Sequence, residues 1–594
     1  MRKYDPDDLR GKVYDPRVAR RLVACARPYK KQVLFGAGAI IAATAMELLL
    51  PVLFSRVATV VSSSHGSVRT LNYLGAAAIA ALVIRSIANW GQLYYTSWLG
   101  HYVVFDLRAA LFRHLQWLSI GYVENRGVGS LMTRVQNDAG AINDFFEDGA
   151  ATILSRMLVL VGIVVIMFIA NWRLALLAYL VLPFMVAGMV FWRRRALTSY
   201  RETRRAISAV NVDLAEGIAG IRVTQSFSQE PARFGQFARL NGINRNVLLR
   251  ASRQTSISLP VVQIASAVAT ALVLAGSGKL AFGVHTSVGD LVLFIGLIDR
   301  FFEPIRDLSQ EFTAMQATVA AGERIFEMLD LVPDVQDRPG AYDLPDVTGR
   351  VELRDVHFGY GDVEVLKGID LSAAPGQTIA LVGETGAGKS SIINLMMRFY
   401  DVWDGAVEYD GHDVRDVTQR SLRNQVSIVP QDSFLFAGSV RDNLRFGRPD
   451  ATDKEIEFAA RRVGAHDFIV RMPAGYDSMA MERGTALSAG QRQLLAFARA
   501  LLADRKILIL DEATSSVDAE AELQIQRAMA ELFQGRTSFV IAHRLSTIRT
   551  ADEVVVLRAG RIVERGTHDD LMFLGGAYAH LQEAQWRGET PVVH

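Results

Sequence analysis

The chain has 594 residues, half of them hydrophobic, with 64 Lys and Arg against 62 Asp and Glu for a net charge of +2. That length exceeds one ordinary domain, and the balanced charge gives no reason to expect nucleic acid or an acidic partner. The single cysteine, Cys25, excludes an intrachain disulfide framework and fits a reducing, cytoplasmic face.

The opening MRKYDPDDLRGK is polar, and the apolar run that follows is too long for the core of a cleaved signal peptide. Arg20, Arg21, Arg27, Lys30 and Lys31 precede that run, so this end is expected in the cytoplasm. Val18 to Tyr29 mixes apolar residues with arginines and reads as an amphipathic entry helix on the membrane surface.

A helix needs about 20 apolar residues to cross the hydrocarbon core. Six stretches qualify: Gln32 to Val61, Leu71 to Tyr95, Ala150 to Trp172, Leu174 to Trp192, Ser256 to Gly278 and Val288 to Leu308. The fourth and fifth are uncharged; Arg85 interrupts the second, and Asp299, Arg300 and Glu303 interrupt the sixth. Connections after the first, third and fifth are short, whereas those after the second and fourth are long and arginine-rich. Positive-inside logic therefore places the long loops and both termini in the cytoplasm of a multi-pass cell-membrane protein. Stretches such as FDLRAALFRHLQWL keep helical spacing and predict helices that continue beyond the bilayer. Charges inside spans are costly, so Glu47, Arg85, Arg156, Asp299 and Arg300 are candidates to line a translocation cavity, Asp299 and Arg300 foremost. The plainer alternative is that Arg85 and Arg156 snorkel from span ends or pair with one another. Pro183, Pro260 and Pro304 mark expected kinks.

Composition changes near Leu331, where LVPDVQDRPGAYDLPDVTGR reads as a linker. VELRDVHF then alternates like a strand, and TIALVG is a short buried-strand pattern. It leads into GETGAGKSS, that is Gly383, Glu384, Thr385, Gly386, Ala387, Gly388, Lys389, Ser390 and Ser391. Lying between a strand and the helical SSIINLMMRFY, this fits a phosphate loop for ATP. Backbone N–H groups wrap the β-phosphate, Lys389 reaches the β/γ oxygens and Ser390 ligates Mg²⁺. Farther on, the apolar strand Ile507 to Leu510 ends in Asp511 and Glu512. Beside a phosphate loop, such a pair reads as one carboxylate holding Mg²⁺ through water and a second activating the attacking water. The expected division is an N-terminal cytoplasmic segment with the entry helix over 1–30, a six-helix membrane domain over 31–330, a linker over 331–349 and a nucleotide-binding domain over 350–594.

These motifs, together with LSAGQRQLLAFARALL ahead of ILILDEATSSVD, resemble the ATP-binding-cassette superfamily, and six spans ahead of one cassette resemble its exporter half-transporters. The resemblance implies an α-helical membrane domain of the type IV exporter kind fused to an α/β phosphate-loop ATPase. It also implies ATP-driven export of hydrophobic small molecules, lipids or peptides by alternating access. By the same likeness Tyr360 in FGYGD stacks on adenine, Gln431 in IVPQDSFLF contacts Mg²⁺ and senses the membrane domain, and His543 in VIAHRLST contacts the γ-phosphate. Asp518 is similar to the acid of the loop joining two nucleotide sites. Ser488, Gly490 and Gln491 would cap the γ-phosphate held by a partner's phosphate loop, where a helix N-terminus suits an anion. A single cassette completes neither site, so the chain is expected to act in a dimer. Ala489 replaces the first glycine of the usual LSGGQ while Glu512 is kept, which resembles one half of the heterodimeric exporters. A heterodimer is favoured, and a homodimer stays open. The loop tips near GYVENRGVGSLMTRVQND and RVTQSFSQEPARF resemble short helices that dock on cassettes, the second on the partner's. An ATP-gated channel or regulator on this scaffold is the alternative function; a soluble DNA-repair or chromosome ATPase is disfavoured by the six spans.

Overall fold

The computed structural model describes residues 16–63, 67–277, 287–480, 487–511, 519–542 and 544–587. They form two compact units, one built from helices and one from mixed sheets and helices.

In the helical unit, α1 (Pro16–Cys25) carries its apolar residues at one-face spacing, and Val18 and Leu22 are buried. They pack on Gly322, where an added Cβ would stand 3.1 Å from Val18 Cγ1. Arg21 lies 4.2 Å above the Phe326 ring and pairs with Asp330. The apolar face of the entry helix is thus packed on protein. Long helices follow: α2 (Lys30–Ser62) and α3 (Val68–Trp117), then, beyond the short α4 (Ile120–Arg126), α5 (Val128–Tyr179), α6 (Leu182–Ala219), α7 (Glu230–Thr255), α8 (Ser258–Gly276) and α9 (Val288–Leu329). By length and composition, Arg27–Ser62, Val68–Trp117 and Val128–Tyr179 can each cross a bilayer, and Pro260–Gly276 is a shorter apolar stretch.

Prolines decide where two of the long rods break. Pro183 lies in the first turn of α6 and Pro260 in the first turn of α8, each just after a two-residue turn. A residue without an N–H fits the start of a helix, where that donor has no intrahelical acceptor. Pro304 stays inside α9. The short link between the third and fourth apolar stretches is a local event at Asn171 (φ −161°, ψ 102°), whose Oδ1 accepts from the backbone of Arg173 and Leu174. Val159, Ile163 and Met167 of α5 meet Ala269 and Val273 of α8 and Phe294, Leu297 and Ile298 of α9 in the core of this unit.

The other unit gathers 331–587 together with residues 116–128 of the first loop tip. Its main sheet has the order β12-β11-β3-β10-β9-β6, from β3 (Thr378–Gly383), β6 (Val426–Val429), β9 (Ile507–Asp511), β10 (Thr537–Ile541), β11 (Glu553–Arg558) and β12 (Arg561–Gly566). All neighbours are parallel except β12 on β11. β10 is buried at every position and β3 and β9 at all but their last, the continuous burial of strands covered on both faces. Alternation sorts the side chains: Ile379, Leu381, Ile507 and Ile509 enter one core, and Ala380, Val382, Leu508 and Leu510 the opposite one. An antiparallel sheet of order β2-β1-β4-β5 flanks it, formed by β1 (Val351–Tyr360), β2 (Val363–Ala373), β4 (Asp404–Tyr409) and β5 (His412–Asp413).

Candidate nucleotide site

Parallel pairing brings the carboxyl ends of five strands, β11, β3, β10, β9 and β6, to one edge, the place where open α/β sheets bind ligands. Ile541 is in register with both Asp511 and Leu381, and Val429 with Leu510. Gly383 therefore ends β3 on the same edge as the end of β9, with β10 between them, and Gln431 follows β6 on the far side of β9, with its side chain exposed. Glu512, Asp518 and His543 lie outside the described residues; the strands that lead to Glu512 and His543 end on this same edge.

Gly383 opens the loop, and α10 (Lys389–Met396) closes it with Gly388 as its cap. Gly386 (φ +85°) and Gly388 (φ +107°) adopt backbone conformations that L side chains rarely take. At Gly388 space is also short, because an added Cβ would stand 2.6 Å from Leu366 Cδ2. Gly388→Ala is expected to destabilise the ATPase unit by about 1–3 kcal/mol. Thermal unfolding of the purified chain reads the loss, and an unchanged midpoint would refute the strain argument.

Lys389 is buried, and its ammonium donates to the carbonyls of Gly383 (2.7 Å) and Glu384 (2.9 Å). Burial lowers its pKa, while the carboxylates of Asp511 and Glu384 pull the other way. The Asp511 carboxylate at the end of β9 therefore lies close enough to act on the phosphate-loop lysine. Ser390, Thr385 and Gly386 are exposed at the mouth of the loop, Glu384 is half-buried, and Ala387 and Ser391 are buried beneath it. Tyr360, 41% exposed, stands over the start of α10: its hydroxyl lies 3.4 Å from Ser391 Oγ and accepts from Asn394 Nδ2. Phe358 and Tyr400 hold its ring edge-to-face, with centroids 5.0 and 5.3 Å away.

Ser488 caps α11 (Ala489–Ala503) through a reciprocal pair, Gln491 N–H to Ser488 Oγ (3.2 Å) and Ser488 N–H to Gln491 Oε1 (3.0 Å). The LSAGQ run is therefore a helix start, with Gly490 buried and Ser488 exposed. Ala489 is the first helical residue and carries no positive φ, so its methyl imposes no local backbone strain.

Sequence reasoning missed how the first loop tip is held. Ser119, which precedes α4, donates to Asp334 Oδ2 (3.0 Å), and Gly121 backs onto Tyr400, whose Oη would stand 2.7 Å from an added Cβ. Burial and the neighbouring Glu124 push the Tyr400 hydroxyl up to about 12. Gly121 was a weak signal of close approach; nothing near Tyr400 pointed back to it. The same Tyr400 edge-packs Tyr360, so one aromatic cluster touches both the loop tip and the phosphate loop.

A phosphate-loop ATPase and a bundle of membrane-spanning helices in one chain define a transport ATPase. Residues 33–305 match the family model described as ABC transporter transmembrane region, and residues 366–515 match the one described as ABC transporter. An uncharacterized ABC transporter ATP-binding protein of Bacillus subtilis, YknV, is 37% identical over 98% of this chain and 97% of its own length. An ATP-dependent lipid A-core flippase of Syntrophus aciditrophicus is 36% identical over 87% of the chain and 86% of its own length. YgaD of Bacillus subtilis, provisionally named a multidrug export ATP-binding/permease protein, is 37% identical over 95% of the chain and 98% of its length. The chain belongs to the ABC transporter family, and ATP hydrolysis in its cassette drives transport through its helical domain.

Proposed function

We propose that this chain exports hydrophobic or amphipathic molecules from the cytoplasm as half of a dimeric transporter, with its cassette and both termini on the cytoplasmic side. The observation that carries the coupling is the helix α4, whose sequence belongs to the long connection after the second span and whose packing, through Ser119, Gly121 and Glu124, belongs to the ATPase unit. The names of the flippase and of YgaD support export of lipids or drugs.

In this reading Tyr360 stacks on adenine, the loop from Gly383 to Ser391 holds the phosphates and Lys389 neutralises them. Glu512 takes the proton of the attacking water, and His543 contacts the γ-phosphate. Ser390 and Gln431, with Asp511 through water, would hold Mg²⁺, which supplies positive charge at the β/γ oxygens. The exposed Ser390 at the loop mouth and the Asp511 carboxylate close to Lys389 fit that ion. Ser488, Gly490 and Gln491 cap the nucleotide of the opposite cassette, and Asp518 joins the two sites. A partner is further supported by the exposed Ile221, Val223 and Phe227 of the second loop tip. The kept Glu512 beside the altered LSAGQ favours a heterodimer.

Reconstituted proteoliposomes with outward-facing cassettes are expected to accumulate a fluorescent amphiphile only with Mg·ATP. Absence of ATP-driven uptake with every lipid and dye tried, alone or with a co-expressed half-transporter, would overturn the export reading. For the pairing, co-purification with a half-transporter that carries Asp at the position of Glu512 is expected to raise ATPase activity severalfold over the chain alone. Equal rates would favour the homodimer.

A further inference from the structure

The helical unit holds a cavity of about 270 Å³ lined by charged and polar groups. That is below the usual size of a site for a drug-sized ligand and suits a head group. Glu47 of α2, Arg85, Asn89 and Gln92 of α3, Arg156 of α5 and Glu303 of α9 face it. Arg85, Asn89 and Gln92 recur at i, i+4 and i+7, a single polar face on an apolar helix. The four charged residues also share a depth. Each lies about 15–17 residues, roughly 22–26 Å at 1.5 Å per residue, from Ser62, Val68, Asn171 or Val288 at the short-connection side of its helix. All four therefore fall inside a hydrocarbon core about 30 Å thick, where ionised groups are retained for a purpose.

Within the cavity the charges balance, two guanidiniums against two carboxylates, but they are loosely matched. Arg85 Nη2 stands 3.8 Å from Glu47 Oε2, and Arg156 Nη2 stands 3.9 Å from Glu303 Oε1. The close partner of Arg156 is Asp307, at 3.0 Å, and Arg300 donates to the Glu47 carbonyl at 2.8 Å. Asp299, the foremost sequence candidate, is exposed and does not line the cavity, and Arg85 and Arg156 pair with carboxylates rather than with one another. A second, independent observation is the Thr44 hydroxyl. It lines the same cavity at 4% exposure with no hydrogen-bond partner among the described residues, the kind of buried group that a ligand completes.

We propose that this cavity binds the zwitterionic head group of an amphiphile, its phosphate or carboxylate at Arg85 and Thr44 and its cationic nitrogen at Glu303. The proposal rests on the export reading and names the substrate class. A singly charged head would upset the balance of two guanidiniums and two carboxylates in low dielectric, whereas a zwitterion meets both signs and keeps it.

The test uses the full chain in phosphatidylglycerol nanodiscs, without nucleotide, and amphiphiles sharing one fluorescent twelve-carbon tail. Binding, corrected for partition into protein-free discs, is compared for phosphocholine, carboxybetaine, trimethylammonium, phosphate and maltoside heads. At least one zwitterion is expected to bind about tenfold more tightly than the other three classes. Phosphocholine alone binding tightly would identify a phosphate source; both zwitterions doing so would identify the charge pair itself. Arg85→Gln is expected to reduce zwitterion affinity to that of the ammonium probe, and Glu303→Gln to that of the phosphate probe. Equal affinity across the heads, or tightest binding by maltoside or a singly charged head, overturns the proposal on the unsubstituted protein. Because no ATP is present, failure here is separate from failure to transport.

Discussion

Replacing Glu512 with Gln is expected to cut steady-state ATP hydrolysis by about 10²–10⁴-fold, the span associated with a positioned general base, while ATP affinity stays within about twofold. The argument starts from β9. Its residues Ile507–Leu510 are buried, and parallel pairing to β10 and β6 fixes its carboxyl end on the ligand edge that also carries Gly383, one strand removed. Asp511 terminates the strand close enough to act electrostatically on Lys389, and Glu512 is the next residue in the sequence. A Gln amide keeps the size and hydrogen-bonding reach but takes no proton from water, so binding survives and turnover does not. Phosphate release and equilibrium binding of a fluorescent ATP analogue separate the two. Near-normal turnover in Glu512→Gln would remove the residue from the chemistry. Asp511→Asn should differ by weakening the Mg²⁺ dependence as well.

The parts of this molecule legible in its sequence are those specified by neighbours along the chain. A buried strand, a glycine turn and a helix are consecutive from Thr378 to Met396, so the phosphate loop could be read residue by residue. Apolar runs marked the long helices for the same reason: crossing a bilayer is a demand on length and composition. Contacts that depend on register between distant elements were not legible. Nothing in the order of residues tells that Glu303, not Asp299, faces the cavity, since that depends on the rotation of α9 against α2 and α3. The two-residue breaks near Pro183 and Pro260 were foreseeable as irregularities but not as helix starts. Ala489 is instructive in another way. It stands where the family's usual signature has a glycine, and at the first position of α11 it is simply helical, held by the Ser488 and Gln491 cap. Any effect it has must arise at the surface it presents to an opposite nucleotide.

Lys389→Ala should raise the dissociation constant for ATP by about 10–100-fold, the equivalent of losing a hydrogen bond to a charged group worth about 1.5–3 kcal/mol. In the protein the ammonium is gathered under the loop by the carbonyls of Gly383 and Glu384, and its stem is buried between β3 and the start of α10. Burial disfavours its charge, and the nearby Asp511 and Glu384 favour it, so the group that meets the phosphates is a poorly hydrated cation. Such a cation gives up little water on binding an anion, which is why its loss weighs on affinity more than that of an exposed lysine would. Lys389→Arg should rescue incompletely, because a planar guanidinium cannot point between two carbonyls as a compact ammonium does. The fold itself should survive Lys389→Met, since an apolar stem removes a desolvated charge, and thermal unfolding is expected to move by no more than about 1 kcal/mol. Unaltered ATP affinity in a folded Lys389→Ala protein would mean that the loop binds nucleotide through its backbone N–H groups alone.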